Sequence, residues 1–442
     1  SKGTFDEVVE IPTGIVLWGA CVAETVVTTR ASSEEEAVIT SRYPDAGIGN
    51  LRITGPRWGI YVSGSIASVH LENVVVISAQ MFGIFLVSGT ATLSDVIVRD
   101  TKSRQSDGKL GRGLDIELGA SVDVCRAVIT KNRELGIFAD GTDTLVTLHD
   151  VLVSHTQSQQ SDGMWGTGLH IQNGASVVVS RAVFTQNRKN GIYADGTNTQ
   201  LKLHNVLVND TQSQQSNEML GRGLNVRNGA SVEVSRSVFS KNREHGVCVD
   251  GTNARLKLQD VLVYDTQSQQ SDGTSGRGFE IQHGASVEVN RSVFTNNRDI
   301  GIFVSGTSTN VKLQNIIIAN TLQKHCATNQ ESENYCPESG TGVGIGSYGG
   351  TNIEMIHFVV SKNDHCGAQL ALGGDEYGNT FEVGGKMKLS HGIISQNTLC
   401  GINIQTENFD WDEARDYVLY FDNNYNDLDT TLMTTPEASR GE

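Results

Sequence analysis

GLDIELGASVDV, at residues 113–124, is the stretch that decides the fold. Its opening glycine returns every 55 residues, at Gly168, Gly223 and Gly278. A second opening, GIFADGT, has the same period and begins at Gly136, Gly191, Gly246 and Gly301. Because both openings lead into similar short apolar runs, each 55-residue unit contains two coils, one of which carries an insertion. A period of this size indicates a solenoid.

Apolar and polar residues alternate within each coil. In the stretch quoted above, one side of the chain carries Leu114, Ile116, Val122 and Val124, and the other carries Asp115, Glu117 and Asp123. This period of two is typical of a half-buried strand, and the valines and isoleucines that dominate the runs favour strands. The runs are also too short for amphipathic helices. Since the chain returns to the same register in every coil, each strand stacks in parallel on the preceding one.

This repeated pattern, GI…G…V.L.NV.V..N, resembles the right-handed parallel β-helix of the pectate-lyase-like superfamily over residues 15–428. The resemblance implies an all-β fold, a single right-handed parallel β-helix solenoid with a 55-residue two-coil repeat. Within one solenoid domain we expect an N-terminal cap with the first coils in residues 1–58, regular coils with four corner insertions in 59–320, and irregular C-terminal coils with a cap in 321–442. The fold does not decide the function, because lyases, hydrolases, epimerases, adhesins and phage tailspikes share it.

Two columns of residues support the stacking. Asparagine occupies one coil position at Asn132, Asn187, Asn242, Asn297, Asn363 and Asn397, and the coils between place Asp100, His155, Asp210, Asp265 and Asn320 there. Stacked amides satisfy turn backbone, so we interpret this column as structural. The second column alternates in charge: Asp95, Arg126, Asp150, Arg181, Asn205, Arg236, Asp260, Arg291 and Asn315. Opposite charges on neighbouring coils are expected to fix the register.

Composition limits the partners. The formal net charge of −16 disfavours nucleic acid and anionic membrane as partners. No apolar run approaches the ~20 residues of a membrane span. The sequence lacks nucleophile-elbow, Walker, HExxH and CxxC motifs, and also the paired-Asp, Gly-His-Gly and Arg-x-Lys motifs of polygalacturonase-like proteins. We therefore expect no metal site and no cofactor.

Four of the seven cysteines form two expected pairs. Cys366 and Cys400 each precede a coil-opening glycine, so adjacent coils would bring them within the Cα separation of a disulfide. Cys326 and Cys336 bracket the loop ATNQESENY and form the second expected bridge. Because disulfides persist in oxidising compartments, we expect a secreted or cell-surface bacterial protein.

The candidate ligand-binding residues share the outward parity of the strands that open each coil. The first outward column contains Asp115, Phe138, His170, Tyr193, Glu280 and Phe303, and Asp140 and Asp195 belong to the next outward column. Aromatic rings two coils apart lie ~9–10 Å from each other, close to the repeat of a disaccharide, and the carboxylates accept hydroxyl hydrogen bonds. We expect these rings to face outward. The alternative is a satellite core in which insertion loops fold back over the rings.

Four polar insertions lie beside this column, at residues 101–112, 156–167, 211–222 and 266–277. They form either a polar lip for a ligand, with Trp165 near one tip, or a row of duplicated solvated loops. Repetition suits binding or scaffolding better than catalysis, which requires one asymmetric set of groups. We favour a non-catalytic module that contacts polysaccharide or another cell-surface component. The alternatives are a polysaccharide lyase, hydrolase or epimerase, for which we expect one deep nonrepeated cleft, and an adhesin or filament subunit.

Overall fold

The computed structural model describes residues 1–30, 36–324, 341–373, 383–406, 409 and 411–424. The chain divides into two compact units, Ser1–Asn217 and Glu218–Glu442. Each unit is built from parallel strands that belong to two sheets, one with long strands and one with short strands. The predicted all-β parallel β-helix is therefore confirmed. None of the described residues forms a helix that could span a membrane.

The described residues of the first unit form eighteen strands. They are β1 (Gly3–Asp6), β2 (Val9–Ile11), β3 (Val16–Trp18), β4 (Thr25–Thr28), β5 (Ala37–Ser41), β6 (Ala46–Thr54), β7 (Trp58–Ser63), β8 (Ser68–Ile77), β9 (Phe82–Val87), β10 (Thr90–Arg99), β11 (Arg112–Glu117), β12 (Ser121–Thr130), β13 (Leu135–Asp140), β14 (Leu145–Ser154), β15 (Thr167–Gln172), β16 (Ser176–Thr185), β17 (Asn190–Asp195) and β18 (Gln200–Asn209). From β6 onward the even-numbered strands stack in the long-strand sheet. From β5 onward the odd-numbered strands stack in the short-strand sheet.

The described part of the second unit repeats this arrangement with sixteen strands and one short 3₁₀ helix. The elements are β19 (Arg222–Arg227), β20 (Ser231–Ser235), β21 (Val238–Ser240), β22 (His245–Asp250), β23 (Arg255–Gln259), β24 (Leu262–Tyr264), β25 (Arg277–Gln282), β26 (Ser286–Thr295), β27 (Ile300–Ser305), β28 (Asn310–Ala319), β29 (Val343–Tyr348), β30 (Asn352–Ser361), β31 (Cys366–Ala371), β32 (Lys386–Ser395), β33 (Cys400–Gln405), a 3₁₀ helix (Trp411–Ala414) and β34 (Asp416–Phe421). Its short-strand sheet pairs β19, β22, β25, β27, β29, β31 and β33 in that order.

Each long strand bends at one residue with left-handed backbone geometry. In β12, Val122 and Val124 point into the core, Cys125 and Arg126 both point outward, and the inward alternation then resumes. Arg126 has a φ of 55°, and the equivalent residues of the other coils, which include Asp95, Asp150, Arg181, Asp260 and Arg291, lie between 48° and 56°. One such residue reverses the parity of the strand, so the long-strand sheet supplies two of the three faces of each coil.

The predicted charge column coincides with this bend, and its pairing is confirmed. The Nε and Nη2 atoms of Arg126 donate to the Oδ1 and Oδ2 atoms of Asp95, respectively, both at 2.7 Å. Arg181 holds Asp150 in the same way, at 2.8 and 2.7 Å. In the second unit Arg291 repeats this contact with Asp260. Because these pairs are exposed, each contributes at most about 1 kcal/mol to stability, and their main effect is on register.

The asparagine column is buried and bonds to turn backbone, as predicted. The Oδ1 atom of Asn187 accepts a hydrogen bond from the Thr156 amide, and its Nδ2 atom donates to the Val153 carbonyl, both at 3.1 Å. The partner in the coil between is therefore Thr156, and Thr101, Thr266 and Thr321 are the equivalent partners elsewhere. The predicted assignments to this column are wrong by one residue for Asp100, His155, Asp265 and Asn320. His155 lies one position earlier, where its φ of 54° makes the turn.

One of the two expected disulfides is described. Cys366 and Cys400 face each other in register on β31 and β33 and form a disulfide with a Cα–Cα distance of 4.5 Å. The other expected pair, Cys326 and Cys336, lies outside the described residues. Cys21, Cys125 and Cys248 are free thiols.

The asparagine column yields a test of stability. Replacing Asn187 with alanine removes the partners of two buried backbone groups, each of which costs about 1–3 kcal/mol when unsatisfied. We expect Asn187→Ala to lower the free energy of unfolding by about 2–6 kcal/mol in chemical denaturation. Gln200→Ala, at an exposed position of β18, is the control and should change it little. Equal stability of the two variants would contradict the structural role of the column.

The disulfide yields a second test. It closes a segment with a sequence separation of 34 residues, for which loop closure predicts a stabilisation of about 4 kcal/mol. We expect the double change Cys366→Ser and Cys400→Ser to lower the unfolding free energy by about this amount. Non-reducing peptide mapping should recover the linked peptides from the unmodified protein. Recovery of both thiols in alkylated form without a reductant would disprove the bridge.

Candidate functional site

The short-strand sheet places the predicted outward residues in two columns. In the first unit, Asp115, Phe138, His170 and Tyr193 are consecutive partners across β11, β13, β15 and β17. In the second unit, Glu280 and Phe303 pair directly across β25 and β27. The same strands pair Asp140 and Asp195 with Gln172. The predicted register of the candidate site is therefore confirmed within each unit.

The expectation that the rings face solvent is wrong. Phe138 and Phe303 are only 5% and 3% exposed, and Tyr193 is half-buried. Asp115, His170 and Glu280 are buried as well. These side chains do leave the sheet on its outer side, but other side chains cover them, as the satellite-core alternative predicts. A ligand-binding role for the columns stays a prediction.

The cover in the first unit is an aromatic and cationic cluster around His170. The His170 ring meets the edges of Phe138 and Tyr193, with centroids 5.3 and 4.7 Å apart. Trp165, from the second insertion, stacks on the His170 ring at 5.7 Å. The ammonium of Lys189 lies 3.8 Å from the centre of the Trp165 ring, which is a favourable cation–π contact.

A half-buried arginine holds the carboxyl groups beside this cluster. Arg112 contacts Asp115 at 2.9 Å, Glu134 at 3.2 Å and Glu117 at 3.5 Å, and its guanidinium carbon lies 4.3 Å from the centre of the Phe138 ring. Burial raises the pKa of Asp115 to about 8, although the positive charge of Arg112 opposes this increase. The set is a covered cluster with three carboxyl groups around one guanidinium.

The second unit builds the same arrangement around Arg277. This guanidinium contacts Glu280 and Asp299, both at 2.9 Å, and covers the ring of Phe303 at 3.9 Å. Phe303 also stacks on Tyr348, with ring centroids 5.0 Å apart. Burial by itself would raise the pKa of Glu280, but the neighbouring His245 and Arg277 hold it below its ordinary value.

These arginines are site residues that the sequence analysis missed, although the repeats contain a signal for them. Each arginine directly precedes a coil-opening glycine, and its acidic partner follows 22 residues later: Arg112 with Glu134, Arg222 with Glu244, and Arg277 with Asp299. The remaining repeat, which is the second in chain order, has Thr167 and Lys189 at the same two positions, so the arginine and the acid are replaced together. Such paired replacement indicates direct contact between neighbouring coils.

The insertions are packed where they join the coils and exposed at their tips, so they are solvated only in part. Inside the second loop, Ser158 and Thr156 are buried, and the Oγ atom of Ser158 donates to the Trp165 carbonyl. Neighbouring loops also bond to each other, since the Ser161 amide donates to the Gly108 carbonyl at 2.9 Å. In the second unit the Ser271 amide donates to the Glu218 carbonyl in the same way. The loops of each unit therefore form a continuous wall.

A groove of about 800 Å³ lies where this wall begins, in the first unit. Its floor consists of the short turns at residues 54–56 and 78–80, and the first insertion forms one side. The lining is polar and cationic: Ser78, Gln80, Lys102, Ser103, Arg104, Gln105, Arg133 and Gln160, with Thr54, Gly55, Pro56 and Gly108. Among the described residues that form this lining there is no carboxylate, in a chain whose net charge is −16.

The cations of the groove differ in how firmly they are held. Arg133 donates from Nη1 to the Ser158 carbonyl at 3.1 Å, and Arg104 pairs with Asp107 at 2.5 Å. Lys102 is exposed, and no carboxylate of the described residues pairs with it. Gln80 connects the floor of the groove to the first insertion, because its side-chain amide oxygen accepts a hydrogen bond from the backbone amide of Gln105 at 2.8 Å. The groove is therefore preformed and offers one ammonium group for an anion.

His170 yields a test based on pH. Burial, together with the charges of Arg112 and Lys189, lowers the pKa of His170 to about 3. The unfolded chain binds a proton near pH 6.5 whereas the folded protein does not, so this histidine contributes stability above pH 6.5 that is lost as the pH falls toward 3. Below pH 6 we expect a loss of about 1.4 kcal/mol per pH unit from this group.

The readout is the slope of the unfolding free energy between pH 7 and pH 5. We expect His170→Gln to flatten this slope, whatever its effect on absolute stability. The matched control is His70→Gln, which removes an exposed imidazole from the long-strand sheet and leaves His170 in place. If the His170 variant keeps the full slope of the unmodified protein, the buried imidazole is not the source.

Comparison with known proteins agrees with this architecture. A family model described as a right-handed β-helix region matches residues 36–208 and 204–322. No curated protein matches the chain. The match covers the insertion-bearing repeats and most of both clusters, and it supports the resemblance to the pectate-lyase-like superfamily. The chain belongs to the family of right-handed β-helix proteins.

Proposed function

We propose that this β-helix is a non-catalytic binding module of a secreted or cell-surface protein, and that the groove at the start of the loop wall binds an acidic oligosaccharide. The observation that carries the proposal is the cationic lining in an otherwise acidic chain, in which no carboxylate of the described residues pairs with Lys102. A uronic-acid residue supplies the matching carboxylate. The disulfide between Cys366 and Cys400 supports an oxidising location.

The polar groups of the groove suit a sugar ring. Gln105, Gln160 and Ser78 line it beside the cations, and amides and hydroxyls both donate to and accept from sugar hydroxyls. A volume of about 800 Å³ falls within the range of small-molecule sites and accommodates a few sugar units. The lining resembles a binding site for a charged glycan more than one for an apolar ligand.

The groove also bears on the enzymatic alternative. Glycoside hydrolysis uses a pair of carboxyl groups on either side of the scissile bond. The described residues that line the groove supply none, and the carboxyl groups of Asp115, Glu117 and Glu134 are engaged by Arg112. A lyase requires a base beside a sugar carboxylate, and Lys102 is the group in the groove that would have to supply it. The test therefore includes an assay for elimination.

Binding is measured by titrating the full chain with oligogalacturonides of defined length. We expect Lys102→Glu to weaken binding at least about tenfold, or 1.4 kcal/mol, because it replaces the available cation with a carboxylate that repels the acidic ligand. Lys202→Glu, an exposed substitution on β18 of the same unit, is the control and should leave the affinity unchanged. Fully methyl-esterified oligomers, which lack the charge, should bind more weakly than the acidic ones.

Three outcomes would overturn parts of the proposal. Equal affinity of the Lys102 and Lys202 variants would move the site away from the groove. Equal binding of esterified and acidic oligomers would remove the charge argument. An increase in ultraviolet absorbance from unsaturated uronate during incubation would show a lyase, and would replace the non-catalytic reading.

A further inference from the structure

A buried cluster on the short-strand sheet of the second unit brings together three side chains that ligate metals. Cys248 on β22 faces Glu280 on β25 in direct register, and His245 begins β22. One ligand atom of each residue lies within 4.8 Å of the other two. All three side chains are buried, with exposures of 0%, 4% and 2% for Cys248, Glu280 and His245.

We propose that His245, Cys248 and Glu280 form a binding site for a divalent transition-metal ion of the zinc type. Nitrogen, sulfur and oxygen donors together match the borderline-soft character of Zn²⁺ and disfavour Ca²⁺ and Mg²⁺, which take oxygen ligands. The usual Zn–N, Zn–O and Zn–S bond lengths place tetrahedral ligand atoms about 3.3–3.6 Å from one another. The present separations are within small side-chain movements of that geometry.

The hydrogen bonding of His245 favours a ligand role. Neither of its ring nitrogens makes an aligned hydrogen bond with the described residues, although the ring is buried. Its Nε2 atom lies 2.6 Å from Oε2 of Glu280, and its Nδ1 atom lies 3.9 Å from Oε2 of Glu244. A metal ion between His245 and Glu280 would bind the Nε2 atom. Glu244 lies on the Nδ1 side of the ring, and acidic groups in that position orient metal-bound histidines.

The charges around the cluster leave room for one cation. The guanidinium of Arg222 is matched by Glu244 at 2.6 Å, and that of Arg277 by Asp299 at 2.9 Å. Glu280 shares Arg277 with Asp299 and also contacts His245 at 2.6 Å. With a neutral His245, the cluster therefore has three carboxylates beside two guanidiniums, and one negative charge is in excess.

The thiol completes the balance. A metal ion binds the thiolate form of cysteine, so Cys248 must release its thiol proton when the ion binds. On binding, a Zn–S bond forms and the thiol proton leaves to solvent. The carboxylate of Glu280 and the new thiolate together carry two negative charges, which equal the charge of the ion. The guanidiniums remain matched by Glu244 and Asp299, so the occupied site is electrically balanced.

The full chain, freed of metal by chelator dialysis, is incubated with Co²⁺ as a spectroscopic probe and with Zn²⁺ alone. Long equilibration is needed because the ligands are buried. We expect one ion per chain, a thiolate-to-cobalt charge-transfer band, and displacement of that band by Zn²⁺. Cys248→Ser should abolish the band and weaken Zn²⁺ binding at least about 100-fold, since even outer-shell changes cost 10–100-fold.

The control replaces Cys21, Cys125, Cys326 and Cys336 with serine and keeps Cys248, and it should retain the band. Circular dichroism reports whether each variant is folded, and His245→Gln is the second test should the Cys248 variant not fold. Absence of a charge-transfer band in the unmodified protein would overturn the proposal, as would a band that survives in a folded Cys248 or His245 variant. In either case the cluster is an ion-pair network only. Neither result depends on oligosaccharide binding by the groove.

Discussion

The fold depends on the requirement that every coil return to the same register as its neighbour. Strand hydrogen bonds then run along the stack, and the turns need partners for their backbone groups from another source. The buried asparagine column meets this need, as Asn187 does for Thr156 and Val153 in the first unit and Asn297 does for Thr266 and Val263 in the second. Position in the coil therefore determines which residues the stack accepts.

The same register places equivalent residues of successive coils next to each other, which causes electrostatic repulsion when those residues carry the same charge. At the bend of the long strands, Arg126 and Arg181 would each lie next to another arginine if every coil were identical. A two-coil repeat avoids this because each arginine meets Asp95 or Asp150 from the preceding coil. The ion clusters of the short-strand sheet obey the same rule, with Arg112 set against Glu134 and Arg277 against Asp299. Two-coil periodicity is thus a solution to like-charge contact as well as a record of duplication.

Much of the fold could be predicted from the sequence because spacing alone sets register in a stack of coils. The strand pairs, the charge column and the bridge between Cys366 and Cys400 all follow from it. The assignment of His155 failed by one residue, because a left-handed turn residue is not visible in an apolar pattern. The prediction that Phe138 and Phe303 are exposed was also wrong, since the alternation of apolar and polar residues shows on which side of a sheet a side chain lies but not which other side chains cover it. Arg112 and Arg277 supply that cover, and only the paired replacement of their partners indicates it.

In a protein built from repeats, a surface differs from its copies either where the row of repeats begins or where one repeat has different residues. The groove is a case of the first kind, and the cluster of His245, Cys248 and Glu280 is a case of the second. Neighbouring insertions bond to one another, whereas the groove lies beside the first insertion, over the turns at residues 54–56 and 78–80. The groove therefore arises from the start of the row of insertions. In the metal-type cluster the difference is one of residues: Cys248 and His245 stand where the preceding coils of the same parity have Tyr193 with Asn190 and Phe138 with Leu135. A backbone that is copied four times can thus carry one distinct chemistry without any change in its register.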